Sequence, residues 1–270
     1  MIIFEKEKCN RCGLCMNDCL GGTIVRDEAG YPMIPEPEFC IDCGHCYAIC
    51  PQGAVNFHGR SAEGTFNSPL PPPEQMEALL KQRRSCRFYK PDPIAPEKME
   101  KLKEILHYSP TGCNDHRLIF SIAEDPAEME AVRSLVSKRL KTFIKTGIPG
   151  LILPASKRYF SLIDEGYDVI FRGAPHFVLV STPSFAPCAG WDAKIALSYF
   201  DTYAQSLGLG TCWCGFGVWA YRLIPSLRRK LKLPFFYKVD AMMLFGEPAV
   251  TYQRPTAPEP MRIDPIRFKA

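Results

Sequence analysis

This 270-residue chain has no apolar stretch approaching the roughly 18 residues that a membrane-spanning helix requires. Its start, MIIFEKEK, also lacks the long apolar segment of a secretory signal peptide, so we expect a cytoplasmic protein with no membrane partner. The formal net charge of +4 is too small to indicate nucleic-acid binding. No Gly-x-Gly-x-x-Gly motif follows a predicted strand, which argues against a Rossmann-type nicotinamide site.

The residue that the chain has in abundance is cysteine, with 13 copies. In a secreted protein such a density would indicate disulfides, but the lack of a signal segment favours a reducing compartment. Clustered cysteines in that setting are typically metal ligands. With 46% hydrophobic and 23% charged residues, the chain otherwise has the composition of an ordinary globular protein.

Eight of the cysteines form an internal repeat of two identical runs. They are Cys9, Cys12, Cys15 and Cys19 in the first run and Cys40, Cys43, Cys46 and Cys50 in the second. Three Cys at this spacing form a tight loop whose sulfurs converge on one face of a four-iron cube. In this two-cluster pattern the fourth Cys ligates the other cluster. We therefore assign Cys50 to the cluster of the first loop and Cys19 to that of the second.

Zinc is the alternative metal for such a cysteine pattern. Zinc sites usually combine two Cys-x-x-Cys pairs into four ligands, which the two triplet-plus-one runs do not match. The pattern resembles that of the bacterial two-cluster ferredoxins over roughly residues 1–57, and the resemblance implies two [4Fe-4S] clusters. One departure is Leu20 after Cys19, where the ferredoxin family usually has Pro.

Residues 58–73 are rich in Gly, Ser and Pro and predict an extended linker to a second domain at 74–270. In that domain helical and strand patterns alternate, which predicts an α+β fold around one sheet. The predicted helices are one that starts at Glu74 and those at 97–107, 126–146 and 192–207, and the predicted strands are 118–123, 177–181 and 241–245. From residue 257 onward, frequent Pro predicts an extended tail.

Five short segments of the second domain carry a further pattern. They are Arg83-Arg84-Ser85-Cys86-Arg87, Ser109–Asn114, Gly173-Ala174-Pro175, Leu207–Phe216, and Phe245–Pro248 with Arg254 beyond it. Three Arg and a Ser at a helix end suit a phosphate and a carbonyl-rich ring, although a solvated basic face would look the same. In this order the segments resemble the FMN-dependent nitroreductase family through nearly all of residues 74–260. The resemblance implies a central, mostly antiparallel sheet surrounded by helices.

The nitroreductase resemblance also implies an FMN site. Its residues would be Arg83, Arg84, Ser85, Arg87, Pro110, Thr111, Gly112, Asn114, Trp213, Cys214, Gly215 and Arg254. Arg83, Ser85 and Arg254 would match the residues that hold the FMN phosphate and ribityl chain, and Arg84 lies in the same motif. Arg87 would match the basic residue near the flavin pyrimidine edge, where it would stabilise negative charge on reduced flavin.

The same resemblance implies a homodimer with two flavins at the subunit interface. The segment from Pro110 to Asn114 would match the part that reaches FMN from the second subunit. The backbone of Trp213–Gly215 would lie beside the flavin with an amide facing N5. No side chain is expected to be catalytic, because flavin N5 carries the chemistry. NAD(P)H, as one possible donor, would stack directly on the flavin.

Two groups of residues in this domain have open roles. Cys212 and Cys214 are unusual near a flavin in this family, and they are either redox-active or, as we favour, small buried hydrophobic residues. Aromatic side chains in the variable region 126–170 and just beyond it would line or cover a pocket, although aromatics at such spacing are more often part of a core. They are Tyr159, Phe160, Tyr167 and Phe171.

Together the two domains predict an iron–sulfur flavoprotein oxidoreductase. The clusters would accept single electrons from a reduced donor such as ferredoxin and pass them to FMN. The flavin would then reduce an organic acceptor such as a nitroaromatic, a quinone or an activated alkene. Two other functions remain open: an electron-transfer partner that delivers electrons to another protein, and a flavin fold repurposed for non-nitroreductase chemistry. The fused clusters argue against the latter, since a non-redox enzyme has little use for them.

Overall fold

The computed structural model of the protein describes residues 1–62, 68–146 and 157–267. The chain divides into two compact units, Met1–Pro71 and Pro72–Ala270. Part of the predicted linker, residues 63–67, lies outside the described residues. Within the described ranges, no helix has the length and apolar character needed to cross a bilayer.

The first unit consists of short antiparallel strand pairs and one-turn helices. Its elements in chain order are β1 (Ile2–Phe4), α1 (Leu14–Asn17), β2 (Val25–Arg26), β3 (Pro32–Met33), a 3-10 turn (Pro37–Phe39), α2 (His45–Ile49) and β4 (Val55–Phe57). β1 pairs with β4, and β2 pairs with β3. Gly30, at φ 82°, lies in the turn between β2 and β3, a conformation that glycine adopts without steric cost.

The core of the first unit is small. Ile24, Cys46 and Val55 are buried, and the half-buried Ile2 and Phe4 pack against them. Further partly buried neighbours of this core are the cysteines Cys15, Cys19 and Cys50. Such a limited core explains why this unit would gain stability from metal ligation, as small domains commonly do.

The second unit alternates helices and strands, as the sequence predicts. Its elements are α3 (Pro73–Gln82), α4 (Pro96–Leu106), a 3-10 turn (Gly112–Asn114), β5 (Ile119–Ala123), α5 (Pro126–Ile144), α6 (Lys157–Asp164), β6 (His176–Pro183), α7 (Ala189–Ser206), β7 (Gly210–Trp213), α8 (Gly215–Leu223), α9 (Pro225–Lys230) and β8 (Tyr237–Gly246). Helices α3, α4, α5 and α9 begin with Pro, whose missing N–H needs no partner in the first turn.

The strands of this unit form one antiparallel sheet in the order β5-β6-β8-β7. The run Phe177–Ser181, predicted as a central strand, lies in β6 between β5 and β8. A parallel bridge joins Ser85 to Thr211 on β7, so the backbone after α3 runs alongside this edge of the sheet. The predicted mostly antiparallel sheet is therefore confirmed.

Alternating side chains of the central strands point into two apolar layers. On one face Leu179 and Leu244 pack with Val132 of α5 and Val218 of α8. On the other face Val178 and Phe245 pack with α4 and α7, as the members of the second cluster show: Leu102, Leu106, Leu197 and Phe200. Helices cover both faces of the sheet, which explains the continuous apolar runs Phe177–Val180 in β6 and Ala241–Phe245 in β8.

The end of α7 leads directly to the sheet edge. Gly208 has φ 75°, a left-handed conformation that ends the helix and suits glycine. The chain then enters β7 at Gly210, where an added Cβ would lie 2.6 Å from Cβ of Cys86. This close approach is what allows the strand-like segment around Ser85 to pack against β7.

Candidate functional site

The two cysteine loops have the same backbone conformation. In each loop the residue before the second Cys has a left-handed φ, 61° at Arg11 and 53° at Asp42. The glycine after that Cys is also left-handed, at 81° for Gly13 and 71° for Gly44. Non-glycine residues rarely adopt such angles, so the repetition at equivalent positions indicates that both loops wrap around a similar object.

Each loop borders a cavity together with the last cysteine of the other run. The first cavity is bordered among others by Cys9, Cys12, Cys15 and Cys50. The second cavity is bordered by Cys19, Cys40, Cys43 and Cys46, with Cys15 between the two cavities. The fold thus brings together the same two sets of four thiols that the sequence assigned to two clusters.

The thiols of both cavities are partly desolvated. Burial raises the pKa of Cys46 to about 11 and also raises the pKa of Cys15. Cys19 differs, because hydrogen bonds from Thr23 and neighbouring amides outweigh burial and lower its pKa. Iron would supply the positive charge that buried thiolates need.

Four thiols border each cavity, which is the number of ligands that a [4Fe-4S] cluster requires. In the part of the chain that the structure describes, no three His, Cys, Asp or Glu side chains converge closely enough to hold a metal ion. A [4Fe-4S] cube requires its thiolates to lie farther apart than the ligands of a single ion, because each thiolate binds a different iron at the outside of the cube. The residues around the two cavities therefore fit clusters.

A basic cavity lies at the end of α3 in the second unit. It is bordered by Arg83, Arg84, Ser85 and Arg87, with Tyr252 and Thr256 opposite them. The Nη1 atom of Arg83 is buried and has no hydrogen-bond partner within the described residues. A guanidinium with one buried, unused donor atom, beside a cavity with other arginines, fits a bound phosphate.

Asp201 positions this arginine, and the sequence analysis did not identify it. Its carboxylate is buried, with Oδ2 3.6 Å from Nη1 of Arg83, an ion pair too long for a hydrogen bond. The other carboxylate oxygen accepts a hydrogen bond from the hydroxyl of Thr211, which is fully buried. Asp201 lies four residues after Leu197 on the buried face of α7, so an acid among apolar positions was the available signal.

The end of β7 connects the basic cavity to the predicted flavin-flanking stretch. The amide of Cys86 donates a 2.7 Å hydrogen bond to the carbonyl of Thr211. Burial raises the pKa of Cys212, while the guanidinium groups of Arg87, Arg172 and Arg83 oppose the rise. These charges lie close enough to Cys212 to act on it, so Arg83, Arg87 and the start of Trp213–Gly215 are brought together.

Arg172 is a second residue that the sequence analysis missed. Its φ is 57°, in a loop where Asp168 accepts hydrogen bonds from the amides of Phe171 and Gly173. Arg133 binds the same carboxylate at 2.8 Å. The sequence gives no sign that Arg172, just before the predicted Gly173-Ala174-Pro175 segment, adopts a positive φ.

The side chain of Arg84 contacts the backbone of Arg254. The guanidinium of Arg84 donates to the carbonyl of Arg254 at 2.9 Å and lies over the ring of Tyr252. The chain beside Arg254, at Tyr252 and Pro255, borders the basic cavity, although Arg254 itself does not. Arg84 therefore holds the start of the tail at the cavity.

The segment from Pro110 to Asn114 is not part of the basic cavity. The amide of Gly112 donates to Asp192 at the start of α7, and a Cβ on Gly112 would lie 2.6 Å from Sγ of Cys188. Asp192 and Asp201 are nine helical residues apart, roughly 14 Å along the axis. The buried hydroxyl of Thr111 has no partner among the described residues. Whether this segment meets FMN through a second subunit stays a prediction.

A large apolar cavity opens beside α8. Among its lining residues are Phe143, Tyr159 and Phe160 on α5 and α6, with Phe216 and Trp219 on α8. Helix α8 begins at Gly215, directly after the predicted flavin-flanking residues. Of the four aromatic residues with open roles, Tyr159 and Phe160 line this cavity, Phe171 is buried in the core, and Tyr167 is exposed.

The remaining thiols near the site are buried. Cys86 is 2% exposed and Cys214 is 4% exposed. Burial raises the pKa of Cys86, and it raises that of Cys214 to about 12. Since the thiolate is the reactive form, these cysteines have the properties of small hydrophobic residues at neutral pH.

Comparison with known families divides the chain into two parts. The Nitroreductase family model matches residues 80–247, and the 4Fe-4S dicluster domain model matches residues 8–55. An uncharacterized ferredoxin of Methanocaldococcus jannaschii is 36% identical over 56 residues, which are 20% of this chain and 73% of that protein.

Solved structures share the fold of the second unit. A nitroreductase with bound FMN from Desulfitobacterium hafniense has a TM-score of 0.58 at 20% identity and covers 72% of this chain and 98% of its own. A nitroreductase with bound FMN from Bacteroides fragilis has a TM-score of 0.54 at 19% identity and covers 70% of this chain and 99% of its own. At sequence identities this low, the similarity to these structures shows a shared fold alone.

Proposed function

The chain belongs to the Nitroreductase family, and from that premise we propose that it passes electrons through two [4Fe-4S] clusters to FMN and on to an organic acceptor. The observation that carries the proposal is the basic cavity with its unpartnered Arg83 donor, in a chain that also has two four-thiol cavities. A cofactor phosphate and two clusters account for all three sites.

The side chains of the basic cavity would hold FMN by its phosphate. Arg83, kept in place by Asp201, offers a buried donor, and Ser85 and Arg87 border the same space. The guanidinium of Arg84 donates hydrogen bonds to the backbone carbonyls of Arg83 and Arg254. Its proposed role is therefore to order the wall of the cavity. In the proposal Trp213–Gly215 is the flavin-flanking stretch. Arg254, which does not border the basic cavity in this structure, would reach the phosphate only after its side chain turns toward the cavity.

When bound, FMN supplies the conversion between one-electron and two-electron chemistry, which clusters alone do not provide. The chain contributes one-electron carriers through its cysteines. We assign Cys9, Cys12, Cys15 and Cys50 to the first cluster and Cys40, Cys43, Cys46 and Cys19 to the second. The predicted homodimer, in which Pro110–Asn114 would reach the partner's FMN, is part of the same proposal.

The acceptor class follows from the apolar cavity. Aromatic side chains of α5, α6 and α8 surround it, and among the described residues that line it Arg139 alone is charged. A planar, uncharged molecule such as a nitroaromatic, a quinone or an activated alkene would bury its surface there at no cost for desolvating charge.

Stopped-flow reduction of the flavin tests the relay. Cys12→Ala and Cys43→Ala, mixed anaerobically with a reduced ferredoxin, are expected to slow flavin reduction at least tenfold, because each removes a ligand of one cluster. Asn17→Ala is the matched control, since Asn17 is exposed and lies between ligands of the first run. If both cysteine variants reduce the flavin as fast as the wild type, the relay is wrong.

A further inference from the structure

The two ends of the cysteine unit differ in charge. Lys8 and Arg11 flank Cys9 in the first loop, and Arg11 borders the first cavity. No Lys or Arg occurs from residue 27 to residue 59, and the acids Glu36, Glu38 and Asp42 flank the ligands Cys40 and Cys43 in the sequence. The second cavity accordingly has no Lys or Arg among its lining residues. The surface around the second set of thiols is therefore the acidic end of the unit.

Large apolar side chains also project from this end. Leu20 is 97% exposed, Phe39 is 63% exposed and Ile41 is 49% exposed. They flank the second-cluster ligands Cys19 and Cys40 in the sequence. The two segments adjoin in space, because a Cβ on Gly21 would lie 4.0 Å from the carbonyl oxygen of Phe39. Clustered exposed apolar side chains commonly mark an interaction site.

Two acids of this end carry uncompensated charge. Glu36 and Glu38, in the turn before Cys40, are exposed and form no ion pair within the described part of the chain. Asp18 instead pairs with His45 at 3.0 Å. Two free carboxylates beside apolar side chains and an exposed ligand, Cys43, make a surface with both electrostatic and hydrophobic character.

We propose that this second-cluster face, made of Leu20, Glu36, Glu38, Phe39 and Ile41, is the docking surface for a one-electron donor protein whose redox centre lies at a basic, partly apolar surface. The partner's centre would lose one electron and the second cluster would gain it, with no bond made or broken. Small electron-transfer interfaces bind weakly and depend on complementary charge for fast association. The inference rests on the proposed function, because it names the cluster at which electrons from the donor would enter the chain.

Binding of a basic probe protein tests the face without electron transfer. Calorimetry at low salt would use the oxidised holoprotein and oxidised mitochondrial cytochrome c, whose haem edge is ringed by lysines. Succinylated cytochrome c, with the same haem and reversed charge, is the control. We expect the native probe to bind, the succinylated probe not to bind, and added salt to weaken the complex.

Variants then locate the binding surface. Glu36→Gln combined with Glu38→Gln is expected to weaken binding about tenfold by removing the steering charge. Leu20→Gln and Phe39→Ser test the apolar part and should each weaken binding several-fold. Glu28→Gln and Val25→Gln are matched controls, because both residues are exposed and neither belongs to the second-cluster face. Both controls should bind as the wild type does.

The outcomes separate docking from the relay. Equal weakening by Glu28→Gln, equal binding of the succinylated probe, or no binding at all would each overturn the docking proposal. The docking proposal would also be overturned if variants of the face bind the probe normally but slow reduction of the chain's own flavin. The face would then act in electron transfer within the chain rather than in binding a donor. Failure of the relay is seen separately, when a photoreduced deazaflavin, a small neutral donor, bleaches the clusters and leaves the flavin oxidised.

Discussion

Replacement of Arg83 offers the sharpest test of the FMN site. Its Nη1 atom is buried without a hydrogen bond, and its charge faces the buried carboxylate of Asp201 at 3.6 Å. Arg83→Gln keeps a polar side chain and removes the charge. We expect weaker FMN binding, because a phosphate would lose its charge-assisted donor.

The expected size of the loss follows from that one donor. A hydrogen bond to a charged group contributes about 1.5 to 3 kcal/mol. At about 1.4 kcal/mol per factor of ten, the dissociation constant for FMN should rise roughly 10- to 100-fold. Riboflavin lacks the phosphate, so its affinity should stay within about a factor of two of the wild-type value if the donor contributes nothing to the ring.

Fluorescence titration of the apoprotein with FMN and riboflavin measures both affinities. Because Arg83→Gln leaves Asp201 without its cation, the double variant Arg83→Gln/Asp201→Asn serves as a control for damage to the fold. The amide oxygen introduced by Asp201→Asn would still accept the hydrogen bond from Thr211, and the double variant should recover thermal stability but not FMN affinity. Equal losses for FMN and riboflavin, or recovered FMN affinity in the double variant, would refute the phosphate role.

Three further predictions concern stability and thiol chemistry. Gly210→Ala should lower the free energy of unfolding by about 1 to 3 kcal/mol in denaturant titrations, because its Cβ would overlap Cys86. Gly190→Ala, with open space around it in α7, should raise that free energy by up to about 1 kcal/mol, and the opposite order would contradict the packing. Cys214 should react with maleimide on the order of a hundredfold more slowly in the folded protein than after unfolding, since burial raises its pKa to about 12; equal mass-spectrometric labelling would disprove this. Burial lowers the pKa of His176, so protons bind the unfolded state preferentially and stability should fall as pH drops below about 6.5. His176→Gln should flatten that dependence of Tm on pH, and an unchanged slope would exclude His176 as its source.

The elements of the second unit were largely predictable because their apolar patterns are local. The predicted strand at 177–181 is the middle of β6, and the predicted helix at 97–107 matches α4 within a residue. The prediction omitted β7 and α8, since Gly210–Trp213 is short and Gly215–Leu223 has apolar residues on several sides. Burial against the sheet, rather than periodicity, defines those two elements.

The FMN candidates were only partly predictable. Arg83, Ser85 and Arg87 are adjacent in the chain, so a motif could reveal them, and they border one cavity. Asp201 and Arg172 lie on other elements and reach the same region only after folding. Nothing in the sequence relates these two residues to the motif, because residues that meet only through long-range contacts have no fixed separation along the chain.

The cysteine runs were determined by the sequence alone, because ligands two residues apart can meet on one cluster through local backbone geometry. The two-cluster pattern also predicted the exchange of the fourth thiols, and the structure places Cys50 at the first cavity and Cys19 at the second. The structure also brings the segment of Leu20 and Gly21 beside the turn that carries Glu36, Glu38 and Phe39. Surfaces and charge pairs depend on distances between remote segments, and only the tertiary fold sets those distances.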